Sequence, residues 1–160
     1  MTAIKTIGIL GAGQLGRMIA VAAAQMGIRA HIFAPDAKDS PAAEVAQTFT
    51  QANYDDADAL AAFGRSIDAV TSEFENVPAT TMDILATFCP VSPGHDALHL
   101  AQNRLREKTL AAHLGIQTPS FWVARSADDL ASALTELKGK GVLNTTEQGY
   151  DGKGQIRVAT

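Results

Sequence analysis

The run Ile4-Lys5-Thr6-Ile7-Gly8-Ile9-Leu10, followed at once by Gly11-Ala12-Gly13-Gln14-Leu15-Gly16, most constrains what this chain can fold into. A short apolar run bounded by glycines suits a strand buried in a parallel sheet. After the glycines, Leu15, Met18, Ile19, Ala22, Ala23 and Met26 recur at helical spacing, and Gly27 is a helix stop. A strand, a glycine turn and a helix in this order open a βαβ unit, which commits the chain to a parallel sheet covered by helices.

The pattern continues in the same alternation. Strands are predicted over residues 4–10, 28–34, 48–52 and 67–72, with a short fifth strand at Val91. Helices are predicted over 15–26, 40–46, 55–66 and 77–88. The fold class is therefore α/β, a Rossmann-like parallel sheet. The pattern then changes. Two consecutive helices are predicted over 95–102 and 103–114, with Gly115 as a C′ residue. A strand over 121–124 follows, and Ser126 to Asp129 resembles a capping box for a helix carrying Leu130, Leu134 and Leu137. Strands at 141–143 and 156–158 flank a polar, glycine-rich loop over residues 145–154. The expected domains are residues 1–93, a Rossmann-like domain, and residues 94–160, linker helices and an incomplete second domain.

Composition narrows the function classes. The hydrophobic fraction of 46% suits a packed core, and the charged fraction is 19%. The net charge is −4, and no Lys/Arg cluster marks a nucleic-acid face. No apolar run reaches the roughly 20 residues needed to span a bilayer. The N-terminus lacks the long apolar stretch of a signal peptide. Cys89 is the one cysteine and reads as a structural thiol. A reducing, cytoplasmic setting is expected, with no membrane and no nucleic-acid partner. His31, His95, His99 and His113 read as packed or solvated, and no metal site is assigned.

Three motifs carry chemistry. Gly11 to Gly16 is a G-x-G-x-x-G turn whose glycines allow close backbone approach to a phosphate at a helix N-terminus. Asp36 lies 20 residues after Gly16, where a ribose-binding acid of a dinucleotide site belongs. By itself this turn does not separate a dinucleotide from another phosphorylated ligand. Ser72-Glu73-Phe74-Glu75-Asn76 follows the fourth strand, at the sheet edge where ligands collect. Alternation along a strand end predicts that only one of its two carboxylates faces a ligand. Gly149-Tyr150-Asp151-Gly152-Lys153-Gly154-Gln155 joins three glycines, an acid, a base and an aromatic. Such a loop can fold over phosphates, and Asp151-Gly152 alone equally suits a hairpin turn.

Taken together, GAGQLGRM, EFENVP and GYDGKGQ in this order resemble the 5-(carboxyamino)imidazole ribonucleotide synthase family of ATP-grasp enzymes, across essentially the whole chain. The resemblance implies a Rossmann-like domain that does not bind NAD, followed by the start of an ATP-grasp domain. It implies an ATP-dependent carbon–nitrogen ligase of purine biosynthesis that uses ATP, Mg²⁺, bicarbonate and aminoimidazole ribonucleotide. It implies a homodimer, with metal ligands beyond this stretch. Gln14, Leu15, Glu73 and Tyr150 match substrate-binding positions. Arg104, Asn144 and the loop residues Gly149, Tyr150, Asp151, Gly152, Lys153, Gly154 and Gln155 match ATP-binding positions. Lys153 and Asp151 match catalytic ones. The alternatives are an NAD(P)-dependent oxidoreductase domain and a ligand-binding remnant without catalysis.

Two departures from the family follow. The family usually reads Val-Leu-Lys-Thr before the loop, whereas this chain has Val142-Leu143-Asn144-Thr145. Asn144 donates hydrogen bonds without charge, and charge-assisted bonds to phosphate are roughly twice as strong as neutral ones. Glu147 stands near the place of a further basic residue, where a carboxylate repels phosphate. Family members also continue for about as much chain again, so the 160 residues alone are expected not to turn over.

Overall fold

The computed structural model describes residues 5–149 and 153–159, which divide into two compact units, Met1–His99 and Leu100–Thr160. The first unit holds β1 (Thr6–Leu10), α1 (Gln14–Gln25), β2 (Arg29–Ala34), β3 (Thr48–Gln51), α2 (Ala57–Arg65), β4 (Ala69–Ser72) and α3 (Ala79–Ala86). Its strands form one parallel sheet in the order β3-β2-β1-β4. In that order the chain leaves β1 for neighbours on either side, so the carboxyl ends of β1, β2 and β4 lie side by side.

Alternation along the strands divides the core between the two faces of this sheet. Ile9, Ile32 and Ala34 meet Ala12, Ala20 and Ala42 on one face. The small side chains there let α1 lie close to the strands. Leu10, Phe33 and Val70 meet Leu60, Phe63, Met82 and Leu85 of α2 and α3 on the other. These large side chains are fully buried, and burying each one contributes about 1.5–3 kcal/mol. The second face therefore carries most of this unit's stability. Asp56 caps α2 by accepting from the Ala59 N–H at 3.0 Å. Gly27, with φ +74°, ends α1.

The second unit contains α5 (Arg104–His113), α6 (Ala127–Glu136) and an antiparallel pair, β5 (Lys140–Asn144) with β6 (Gln155–Ala159). Helix α4 (His95–Ala101) spans the division between the units. Asn103 caps α5 by accepting from the Leu105 and Arg106 N–H groups, and Ser126 caps α6 by accepting from Asp129. Both caps stand where the sequence places a helix start.

Three predicted elements take another form. Residues 40–46 form consecutive turns instead of a helix. Glu44 and Ala46 bond back four residues, but Val45 between them bonds to Ala42, so the ladder is broken. The fifth strand is one bridge, Val70 to Val91, flanked by bonds from Val70 N–H to Pro90 and from Ser92 N–H to Val70. Residues 121–124 are not a strand. They pair with no partner among the described residues, and their side chains line a cavity instead.

His31 on β2 illustrates how a polar side chain is accommodated in the first unit. The Ser66 hydroxyl donates to the Phe63 carbonyl at 2.7 Å, so its oxygen accepts from His31 Nδ1–H at 3.0 Å. Nε2 then accepts from Thr50 at 2.9 Å. The ring also meets Phe63 edge-on at 4.8 Å. Both nitrogens are used by the neutral imidazole, and burial holds its pKa below 6.5. The unfolded chain then binds the proton more readily than the fold does, so this contribution is complete above the unfolded value and is lost as pH falls below it. Stability is expected to drop as pH is lowered from about 6.5, and His31→Leu is expected to flatten that slope. Denaturant titrations between neutral and mildly acidic pH measure it.

Candidate functional site

The carboxyl edge of the first sheet is organised by Glu73. The Glu73 N–H bonds to the Leu10 carbonyl at 3.0 Å, and the Gly11 N–H bonds to that of Phe33 at 3.0 Å. These bonds extend the ladder one residue past the strands and hold Glu73 beside the glycine turn. Its two carboxylate oxygens then accept from the Gly13 N–H at 2.9 Å and the Gly16 N–H at 2.5 Å. Gly11 has φ +106°, and a Cβ there would fall on the Glu73 side chain. A Cβ at Gly16 would stand 3.2 Å from the carboxylate and 3.1 Å from the Gly11 carbonyl. The glycines of this turn thus admit a carboxylate of the same chain.

That arrangement decides what the first motif can do. In a dinucleotide site, the helix N-terminus and its N–H groups bind a pyrophosphate. Here a carboxylate already takes the positive end of α1, and a second anion in the same place would meet its charge. Asp36 lies exposed just past β2, as a ribose-binding acid would. The turn beside it, however, is closed.

Around this core, Gln14 and Leu15 are the first residues of α1, and both are exposed. Phe74 turns inward against the Leu10 cluster. The Ser72 hydroxyl donates to its carbonyl at 2.7 Å. The turns over residues 40–46 back the motif through the Ala42 N–H to Ala12 carbonyl bond of 3.1 Å, and Glu44 pairs with Arg17 at 2.6 Å. Tyr54 completes the edge, half-buried against both core clusters. Burial, with Asp36 and Glu73 nearby, pushes its phenol above the usual range, so it stays neutral and able to donate. Sequence reasoning missed Tyr54. A lone aromatic in the polar stretch Ala52-Asn53-Tyr54-Asp55-Asp56 was the available signal.

In the second unit, Arg104 and Asn144 line one cavity of about 380 Å³, together with Lys108, Phe121, Trp122 and Thr145. Arg104 opens α5 and is exposed. The Asn144 amide donates back to the Val142 carbonyl at 3.2 Å, along its own strand. The Thr145 N–H bonds to the Gly154 carbonyl at 2.9 Å and closes the neck of the glycine-rich loop. Gly149 and Lys153 lie above this neck, Gly154 at it, and Gln155 begins β6 opposite Asn144. Tyr150, Asp151 and Gly152 lie outside the described residues.

Glu147 points elsewhere than the sequence suggests. Its carboxylate accepts from Asn103 at 2.9 Å and from Arg106 at 3.3 Å, while the Arg104 N–H bonds to the Thr146 carbonyl at 2.8 Å. Asn103 thus caps α5 with its oxygen and holds Glu147 with its nitrogen. These contacts tie the rising limb of the loop to the start of α5. Because the pair is exposed, it is worth up to about 1 kcal/mol. Glu147→Ala is therefore expected to raise trypsin cleavage after Lys153 about two- to fivefold. An unchanged rate would show that this contact does not order the loop.

Residues 4–102 match the ribonucleotide synthetase preATP-grasp domain and residues 109–160 match the ATP-grasp domain. The chain belongs to the ribonucleotide synthetase preATP-grasp family. It is similar to the N5-carboxyaminoimidazole ribonucleotide synthase of Brucella melitensis, with 44% identity over 98% of this chain and 43% of that protein. The structure of an N5-carboxyaminoimidazole ribonucleotide synthetase in complex with ADP superposes with TM-score 0.91 at 38% identity, over 100% of this chain and 43% of that one. The Staphylococcus aureus synthetase with ADP superposes with TM-score 0.91 at 36% identity, over 98% of this chain and 42% of that one. The chain spans less than half the length of these relatives. Among the described residues, no helix is long and apolar enough to cross a membrane.

Proposed function

We propose that this chain serves ATP-dependent carboxylation of aminoimidazole ribonucleotide with bicarbonate, the step of purine biosynthesis that yields the N5-carboxyamino product. The observation that carries the reading is the second unit's cavity, where Arg104 and Asn144 stand beside the closed neck of the Gly149–Gln155 loop. An aromatic wall with a cation at its edge suits a base attached to phosphates. The names of the relatives add the ribonucleotide product and the adenine nucleotide.

In this reading, residues 1–93 bind the ribonucleotide and residues 94–160 begin the ATP-binding part. The loop's backbone N–H groups and Lys153 are assigned to the triphosphate, and Asp151 and Tyr150 to the substrate. The γ-phosphoryl group passes to bicarbonate, giving carboxyphosphate. The exocyclic amine attacks its carbon and phosphate leaves. Positioning and charge neutralisation supply most of such catalysis. Gln14 and Leu15 meet the ribonucleotide. Glu73 orients them by holding the turn that carries them, with its remaining lone pairs open to a ligand donor. Mg²⁺ belongs to the reaction, but among the described residues no group of three or more His, Cys, Asp or Glu side chains comes together. A cytoplasmic homodimer completes the proposal.

The test is a titration of the chain with aminoimidazole ribonucleotide, followed by amide resonances. The expected result is saturable binding that moves Gln14 and Leu15. No binding, or binding that moves only residues elsewhere, overturns the assignment of this edge to the ribonucleotide.

A further inference from the structure

We propose that Lys108 is a phosphate-binding residue which, with Arg104, supplies the positive charge that position 144 lacks; this rests on the nucleotide reading above. The two cations lie four residues apart on α5, which places them on one face of the helix. Both line the cavity that Asn144 and Thr145 also line. Asn144 cannot take over the work of a lysine, because it is uncharged and one of its two amide N–H groups already bonds to the Val142 carbonyl.

The setting of Lys108 is specific. Its residue is half-buried, and its ammonium lies 5.2 Å from the centroid of the Phe121 ring, against the aromatic wall of the cavity. Among the described residues no carboxylate pairs with the side chain of Lys108 or Arg104, whereas Arg106 on the same helix pairs with Glu147. An ammonium held at an apolar wall is partly stripped of water, and its attraction to an anion is less screened than at an open surface. Two uncompensated cations beside an aromatic wall fit a ligand with a flat ring at one end and several negative charges at the other. The i, i+4 spacing of Arg104 and Lys108 is visible in the sequence, but only the fold shows that Asn144 shares their cavity.

The experiment titrates the chain and its variants with adenosine, AMP, ADP and ATP, reading dissociation constants by calorimetry. Lys108→Met keeps an unbranched stem on Phe121 and removes the charge. It is expected to weaken ATP binding about tenfold, to weaken AMP less, and to leave adenosine unchanged. Lys108→Arg is expected to retain most of the affinity, and Asn144→Lys placed on Lys108→Met to restore much of it. Circular dichroism checks that each variant folds. If the wild-type chain binds ATP and Lys108→Met binds it equally well, this proposal is wrong and the nucleotide reading stands. If adenosine is weakened as much as ATP, Lys108 acts by packing and the proposal is again wrong. If the wild-type chain binds no adenine nucleotide, the nucleotide reading itself fails.

Discussion

Glu73→Ala is expected to destabilise the first unit by about 2–4 kcal/mol, because two charge-assisted hydrogen bonds at about 1.5–3 kcal/mol each are lost. The loss stays below their sum because water can reach the half-buried turn once the side chain is gone. Glu73→Gln keeps one acceptor oxygen and is expected to recover roughly half of the loss. Trp122, the one tryptophan, lies in the second unit, so its fluorescence reports that unit separately. The expected result is an earlier loss of far-ultraviolet dichroism than in the wild-type chain. A Glu73→Ala chain as stable as wild type would mean that the carboxylate does not hold the turn.

Gly11→Val is expected to cost about 3 kcal/mol or more, by two separate effects. A branched residue is strained at φ +106°, at about 1–3 kcal/mol. Its side chain would also have to displace Glu73, and crowding of this kind adds about 1–3 kcal/mol. Gly27 provides the control. It has φ +74°, and a Cβ there meets nothing within 4 Å, so Gly27→Ala carries the backbone strain alone, at about 1–2 kcal/mol. Denaturant unfolding of the two variants separates the terms. Equal losses would show that Gly11 is required for its backbone angle only, and that Glu73 yields without cost.

Much of the fold is legible in the sequence because its signals are local. Apolar runs and helical spacing locate β1, α1 and β2, and Asn103 and Ser126 cap the helices they precede. The elements that took another form depend on distant partners. Residues 121–124 have strand-like composition, but a strand also needs an edge to pair with. Val91 finds such an edge for one bridge only. Residues 40–46 are drawn into turns by the Ala42 bond to Ala12, a contact that spacing cannot reveal.

The sites follow the same division. The sequence places Glu73 at the sheet edge, and alternation says that only one of the two acids there faces a ligand. It does not say that the partner is the glycine turn itself, since that depends on β1 and β4 being neighbours. Likewise Glu147 reads as a charge opposed to phosphate until the fold brings Asn103 and Arg106 against it. In both cases the residue type was visible and the partner was not.

Glu73 closes the first glycine motif, and in the proposed function the nucleotide binds the second unit. Parallel titrations of the chain with NADH and ATP, followed by amide resonances, test it most directly. ATP is expected to move Arg104, Thr145 and Gly154, and NADH is expected to move none of Gly11 to Gly16. Saturable binding of NADH at Gly11, Gly13 and Gly16, with no response of the second unit to ATP, would contradict it.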